Sequence, residues 1–170
     1  MRMMQRRNGM ADLVDLVIED TRWAALDMSA LAEQAANAAL NAAGIPVEYE
    51  ICILGCNDAR IAELNAEFRE RPTATNVLSW PAFELAPEIE GGQPTPPPQA
   101  EELGDIAIAY ETCEREAVEK GITIHAHVLH LIVHGCLHLL GYDHETDKDA
   151  TLMEELEVKA LATMGVDDPY

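Results

Sequence analysis

The chain is 170 residues long and 48% hydrophobic, with a formal net charge of −20. That length suits one domain with one core, and the apolar share excludes an intrinsically disordered chain. No apolar run approaches the roughly 18 residues that span a bilayer, and 11 lysines and arginines against 31 acidic residues argue, on charge alone, against a nucleic-acid enzyme.

The N-terminal M-R-M-M-Q-R-R-N-G-M carries arginines with no apolar stretch behind them, which is not a secretory signal. Residues 1–10 are expected to form a disordered leader, and a cytoplasmic location without membrane association follows. Residues 11–18, A-D-L-V-D-L-V-I, read as a strand interrupted only by Asp15. Residues 28–43 are alanine-rich with Leu31, Ala35, Ala38 and Ala42 on one stripe, a helix that Asp27 or Ser29 caps and Gly44 ends. After Pro46, V-E-Y-E-I-C-I-L reads as a second strand. Asn57 and Asp58 then sit where a helix cap belongs, and Ile61, Leu64 and Phe68 follow at helical spacing, predicting a buried face. Pro72 breaks that helix, and Asn76 to Trp80 form a short strand stopped by Pro81. Cys52, Cys56, Cys113 and Cys136 make no C-x-x-C pair and read as buried thiols of a reducing compartment.

Residues 84–102 are rich in proline, glycine and glutamate, which predicts a mobile surface loop. L-G-D-I-A-I-A, residues 103–109, is a buried strand. A helix from about Glu111 to Lys120 ends at Gly121. A second runs from about His125 to Leu140, apolar on most sides and therefore in the core. The last runs from about Asp147 to Met164, with Leu152, Leu156, Ala160 and Met164 expected inside and Gly165 as its stop. These elements predict an α+β single domain, with a mixed sheet of about four strands and about five helices.

The chemistry concentrates in H-G-C-L-H-L-L-G-Y-D-H, residues 134–144. His134 and His138 are four apart, so a helix stacks them on one face. Gly141 lets the chain turn and bring His144 back. His130, one turn earlier, is a rival third ligand. His144 is preferred because a ligand from beyond the helix closes a tetrahedral face better, and His130 is expected to be buried and hydrogen-bonded. Three neutral imidazoles with an open fourth position make the ligand set of a catalytic zinc site, whose water loses a proton near neutral pH. The spacing fits the metalloprotease pattern H-E-x-x-H-x-x-G-x-x-H except that Gly135 replaces the general-base glutamate. Glycine inside a helix costs roughly 1 kcal/mol relative to alanine, and room for a phosphate beside the metal is the expected reason. Asp143 either orients an imidazole or caps the turn.

The eleven-residue motif resembles the signature of the YbeY family, bacterial metal-dependent endoribonucleases of rRNA maturation. Leu64, Asn65, Arg69, Val77, Leu78, Ser79 and Pro81 are similar to that family's L-N-x-x-x-R and P-T-D-V-L-S-F-P, with Trp80 for the phenylalanine and Asn76 for the aspartate. The stretch 103–109 resembles its G-D-I-x-I, and M-G-V-D-D-P-Y resembles its C-terminus. The resemblance covers residues 50–81 and 103–170. It implies one metal-dependent hydrolase domain over 1–170, with one zinc ion on His134, His138 and His144. Arg69 and His134 are the implied catalytic residues, Arg69 stabilising a phosphodiester transition state. It further implies single-stranded rRNA as substrate, in 16S rRNA 3′-end maturation and ribosome quality control, with the small ribosomal subunit or its assembly proteins as partners and no DNA. A zinc metallopeptidase, disfavoured by Gly135, and a non-enzymatic ribosome assembly factor with a structural zinc are the alternatives.

Overall fold

In a computed structural model, residues 13–46, 48–99 and 102–170 are described. The expected leader and the first two residues of the expected first strand lie outside them. Four strands, β1 (Val14–Ile18), β2 (Glu50–Cys56), β3 (Val77–Pro81) and β4 (Glu102–Ala109), form one sheet in the order β1-β2-β4-β3. β1, β2 and β4 are parallel, and β3 runs antiparallel to β4 along one edge. The helices are α1 (Arg22–Ala25), α2 (Met28–Ala43), α3 (Asp58–Arg69), α4 (Tyr110–Lys120), α5 (Ile124–Leu139) and α6 (Asp147–Ala162). The mixed four-stranded sheet is the one expected. α1 is a sixth helix that the sequence pattern does not announce, because one turn is too short to show a period.

Alternation along β4 divides the core. Ile106 and Ile108 join the larger cluster, which includes the buried residues of α2 and α5, while Ala107 and Ala109 meet Cys56, Ile61 and Leu78 beside α3 on the other side. α2 presents Ala32, Ala35, Ala36 and Ala39 at 0% exposure, small side chains that let α5 pack close across it. α5 is buried at eleven of its positions, from His127 to Leu139. Each large aliphatic side chain fully buried there contributes about 1.5–3 kcal/mol, so this helix is held firmly between α2, α6 and the sheet. Trp23 of α1 is also fully buried; its Nε1 donates to the Cys56 carbonyl at 2.8 Å.

Three expectations change. Phe68, expected inside α3's packed face, is 57% exposed at the end of the helix. In α6 the fully buried residues are Met153, Glu157, Ala160 and Leu161, so of the expected stripe Ala160 is inside while Leu156 and Met164 pack against the core only in part. Glu157 turns inward to bond His130 and His134 of α5. The segment 82–99 lies on the surface without helix or strand, as expected, but it is tied down: Leu85 is 5% exposed, Tyr49 hydroxyl donates to the Pro97 carbonyl, and Gly91 N–H donates to Asp149. Asp27 occupies the cap position of α2 in a left-handed conformation, without a side-chain capping bond. Among the described residues no single helix is long and apolar enough to cross a membrane.

Gly104 marks the tightest point of the sheet. Its φ of +144° is a glycine conformation, and a Cβ there would collide with the Trp80 carbonyl oxygen of β3. Gly104→Ala should lower the unfolding free energy by about 3 kcal/mol or more, read from urea denaturation. Gly44→Ala, also at positive φ but in open space, should cost only about 1–2 kcal/mol. Equal midpoints for the two variants would refute the close approach.

Candidate metal centre

α5 is capped by Thr123, whose hydroxyl accepts from the Ala126 N–H, and carries His130, His134 and His138 along one side. The rings of His134 and His138 lie 4.5 Å apart between centroids, and their Nε2 atoms are 3.0 Å apart. The helix stops at Leu139, and Gly141, at φ +99°, turns the chain while its N–H donates to the His138 carbonyl. The turn returns His144 to 5.2 Å from each of the other two rings. One ligand atom from each of the three lies within 4.8 Å of the others. A Cβ on Gly141 would meet the Leu85 backbone at 2.8 Å, so the 82–99 segment packs directly on the turn that sets His144.

The far side of each helical imidazole decides what its Nε2 presents. His138 Nδ1 sits 2.9 Å from the Tyr142 carbonyl, which can only accept, so Nδ1 carries the proton. His134 Nδ1 sits 3.1 Å from Glu157 Oε2 and donates there likewise. Both Nε2 atoms then direct lone pairs at each other, which is repulsive unless a cation lies between them. Burial, reinforced by neighbouring His134, pushes the His138 pKa down to about 4, so the ring stays neutral at pH 7, the ligating form. The 3.0 Å separation is near the ~3.3 Å that two nitrogens ~2.0–2.1 Å from a tetrahedral ion would have. The residues therefore fit a metal ion, with nitrogen-bound partners behind two of three ligands in the manner of metal-ligating histidines.

Glu157 is the residue that sequence reading missed. It is 1% exposed and takes His134 on one oxygen and His130 Nε2, at 2.5 Å, on the other. Burial alone would push its carboxyl up, but hydrogen bonds from His130, His134 and Tyr170 outweigh it and hold it down at about 2. A signal was available: glutamate four residues after Met153 and three before Ala160 sits on a helix face that is otherwise apolar. His130 points to Glu157 and is not part of the three-histidine cluster. Asp143 accepts its neighbour His144 N–H at 2.7 Å, which makes it the cap of the turn. Asn76 donates to Glu116 at 3.0 Å while Glu116 also holds His127. An aspartate at 76 would set a second carboxylate against Glu116.

The cluster opens on a cleft of about 960 Å³ whose walls include Arg69, Ser79, Phe83, Glu84, Asp143 and Glu145. His144 is exposed and the other two histidines are half-buried. Arg69 reaches across from the end of α3; its Nη2 donates to the Ser79 carbonyl at 2.5 Å, and its guanidinium lies 5.7 Å from the Trp80 ring centroid. Gly135 does not face this cleft. A Cβ there would point at the sheet, 3.1 Å from Ile106 and 3.2 Å from Ser79 Oγ. Close packing of α5 on β3 and β4, not space for a phosphate, accounts for the glycine.

Fold and site together define a class: an α+β protein with a three-histidine centre, arranged to hold one metal ion beside an open cleft with an arginine on its wall. The chain belongs to the family described as Endoribonuclease YbeY, whose model matches residues 17–165. It is similar to the Endoribonuclease YbeY of Ruegeria pomeroyi, 57% identical over 92% of this chain and 97% of that protein, and of Dinoroseobacter shibae, 56% identical over 92% and 90%. The corresponding protein of Azorhizobium caulinodans is 45% identical over 92% and 95%. These relatives are hydrolases acting on RNA by name. The solution structure of TM1509 from Thermotoga maritima shares the fold, with a TM-score of 0.56 at 20% identity over 89% of this chain and 91% of that one.

Gly141→Ala tests how the turn builds the cluster. Strained backbone and the clash with Leu85 should displace His144 and weaken metal binding by about tenfold or more, measured by competition with a chromophoric chelator. Affinity equal to that of the unaltered chain would show that Gly141 does not set the third ligand.

Proposed function

We propose that this chain is a zinc-dependent endoribonuclease that cuts single-stranded RNA, acting in the cytoplasm on rRNA, in 16S 3′-end maturation and ribosome quality control. The small ribosomal subunit or its assembly proteins are the proposed partners. The observation that carries the reading is the pair of proton-locked imidazoles whose Nε2 atoms face each other at 3.0 Å, with His144 and Arg69 on the same cleft.

His134, His138 and His144 would hold the ion. Zinc bound there would supply Lewis acidity and a water acidified to near-neutral pKa. The chain's own residues do the rest. Glu157 and the Tyr142 carbonyl keep His134 and His138 in the ligating tautomer. Arg69 leaves the Ser79 carbonyl and offers its planar fork to two phosphoryl oxygens, matching charge that grows in the transition state. His134 acts as ligand and as the link to Glu157.

Single-stranded substrate agrees with the cleft's charge. Arg69 shares the lining there with Glu84, Asp143 and Glu145. A duplex presents one charge per ~1.7 Å, which such a wall disfavours. Unpaired bases can instead stack on flat side chains. The chain has only two phenylalanines: Phe83 lines the cleft, and Phe68 stands exposed beside Arg69 with its ring edge-on to Trp80 at 5.6 Å. A peptidase gains no support, because position 135 carries no carboxylate and points into packed side chains.

The deciding experiment combines metal analysis with RNA cleavage. One zinc per chain is expected, on ring nitrogens at about 2.0–2.1 Å, with the element identified directly because nickel from purification fits the same ligands. Arg69→Lys should retain fold and zinc while lowering the cleavage rate by about 10²–10³. Undiminished cleavage of a defined single-stranded RNA by Arg69→Ala would sink Arg69's assignment, and cleavage of casein in place of RNA would sink the function.

A further inference from the structure

Glu157 joins the metal centre to a residue that the chemistry above does not use. Its Oε1 accepts from His130 Nε2 at 2.5 Å and from the Tyr170 hydroxyl at 2.6 Å, while its Oε2 faces His134 Nδ1 at 3.1 Å. Tyr170 also stands edge-on to the His130 ring, 5.7 Å between centroids. The sequence explains how residue 170 reaches a helix that ended at Ala162. Gly165, at φ +72°, reverses the chain, and Val166 N–H bonds back to the Leu161 carbonyl. The Asp168 carboxylate then accepts the Tyr170 N–H at 2.8 Å, a local turn of the kind aspartate favours, and Pro169 fixes the backbone between them.

The manner of contact is unusual for an aromatic residue. Tyr170 is 61% exposed as a residue, yet its hydroxyl bonds a carboxylate that is 1% exposed. An aromatic kept for packing does the reverse. Charge-assisted hydrogen bonds of this kind are among the strong ones. With Oε1 engaged by two donors from different segments, the carboxylate cannot turn about its last bond without breaking both. Oε2 is thereby aimed at His134, and the imidazole is held with Nε2 toward His138.

We propose that Tyr170 is a positioning residue for the metal ligand His134, acting through Glu157. The inference rests on the reading of the three histidines as a metal centre and is independent of the RNA assignment. The hydroxyl, not the ring, carries the effect, so Tyr170→Phe isolates it in a variant that keeps the exposed ring and the fold.

Zinc affinity measured by chelator competition on the full chain, Tyr170→Phe, Glu157→Gln and the double variant tests this. Glu157→Gln should weaken zinc binding by about 10- to 100-fold, the usual effect of losing an outer hydrogen-bond partner. Tyr170→Phe should weaken it by about 3- to 10-fold while the metal-free chain keeps a cooperative unfolding transition. The double variant should bind zinc no more weakly than Glu157→Gln alone, because Tyr170 then has no carboxylate to aim. Wild-type affinity in Tyr170→Phe would overturn the proposal, and so would a loss that adds in full to that of Glu157→Gln. If the unaltered chain binds no metal, the metal-centre reading falls and this inference with it. If all four proteins bind zinc equally, this inference alone falls.

Discussion

Two imidazole nitrogens held 3.0 Å apart, with their protons locked on the far sides, are an arrangement that a loose structure would relax by rotating a ring. Here neither ring can rotate freely, and the reason is the burial of α5. The helix lies between α2, α6 and the sheet and is apolar around most of its circumference. Yet four of its histidines need polar partners, since buried polar groups are costly when unpaired. His127 finds Glu116 from α4, His130 and His134 find Glu157 from α6, and His138 finds the Tyr142 carbonyl beyond the turn. α4, α6 and the turn are thus fixed by hydrogen bonds as well as by packing. Much of the architecture around α5 follows from that requirement.

The strong acidity of the chain takes on a different meaning in this light. Glu116 and Glu157 are structural acids spent on histidines, and Asp58 accepts both the Thr112 N–H and its hydroxyl, joining α3 to α4. Asp149 likewise anchors the surface segment through Gly91. The net charge of −20 therefore mixes a solvated surface with internal acceptors. Total charge could not tell the two apart, which is why it argued against RNA while the local motifs argued for it.

What was legible in the sequence was whatever carries a period or a special backbone. The strands, α2 and α5 show apolar repeats, and the spacing of His134, His138, Gly141 and His144 gave the cluster because a helix and a glycine turn convert spacing into position. Glu157 was illegible to a reading that assigns glutamate to the surface, although it lies among the buried residues of α6. Phe68 failed for the opposite reason: apolar spacing predicts burial, but α3 covers only part of the sheet and ends where Phe68 stands. Gly135 was read correctly as costly and wrongly as facing the metal. Which side of a helix touches a neighbouring sheet is a tertiary fact, visible only in the 3.1 Å approach to Ile106.

Arg69 also meets the edge of the sheet. β3 is an edge strand, and such edges invite pairing with another chain. On its outward side the Val77 N–H is taken by the Asn76 side chain at 2.6 Å, the Ser79 carbonyl is taken by Arg69, and Pro81 brings no N–H at all. The arginine thus helps close the edge against pairing with another chain. A side chain at position 69 that cannot donate would leave the Ser79 carbonyl open on that edge, and strand-paired oligomers are the consequence to look for.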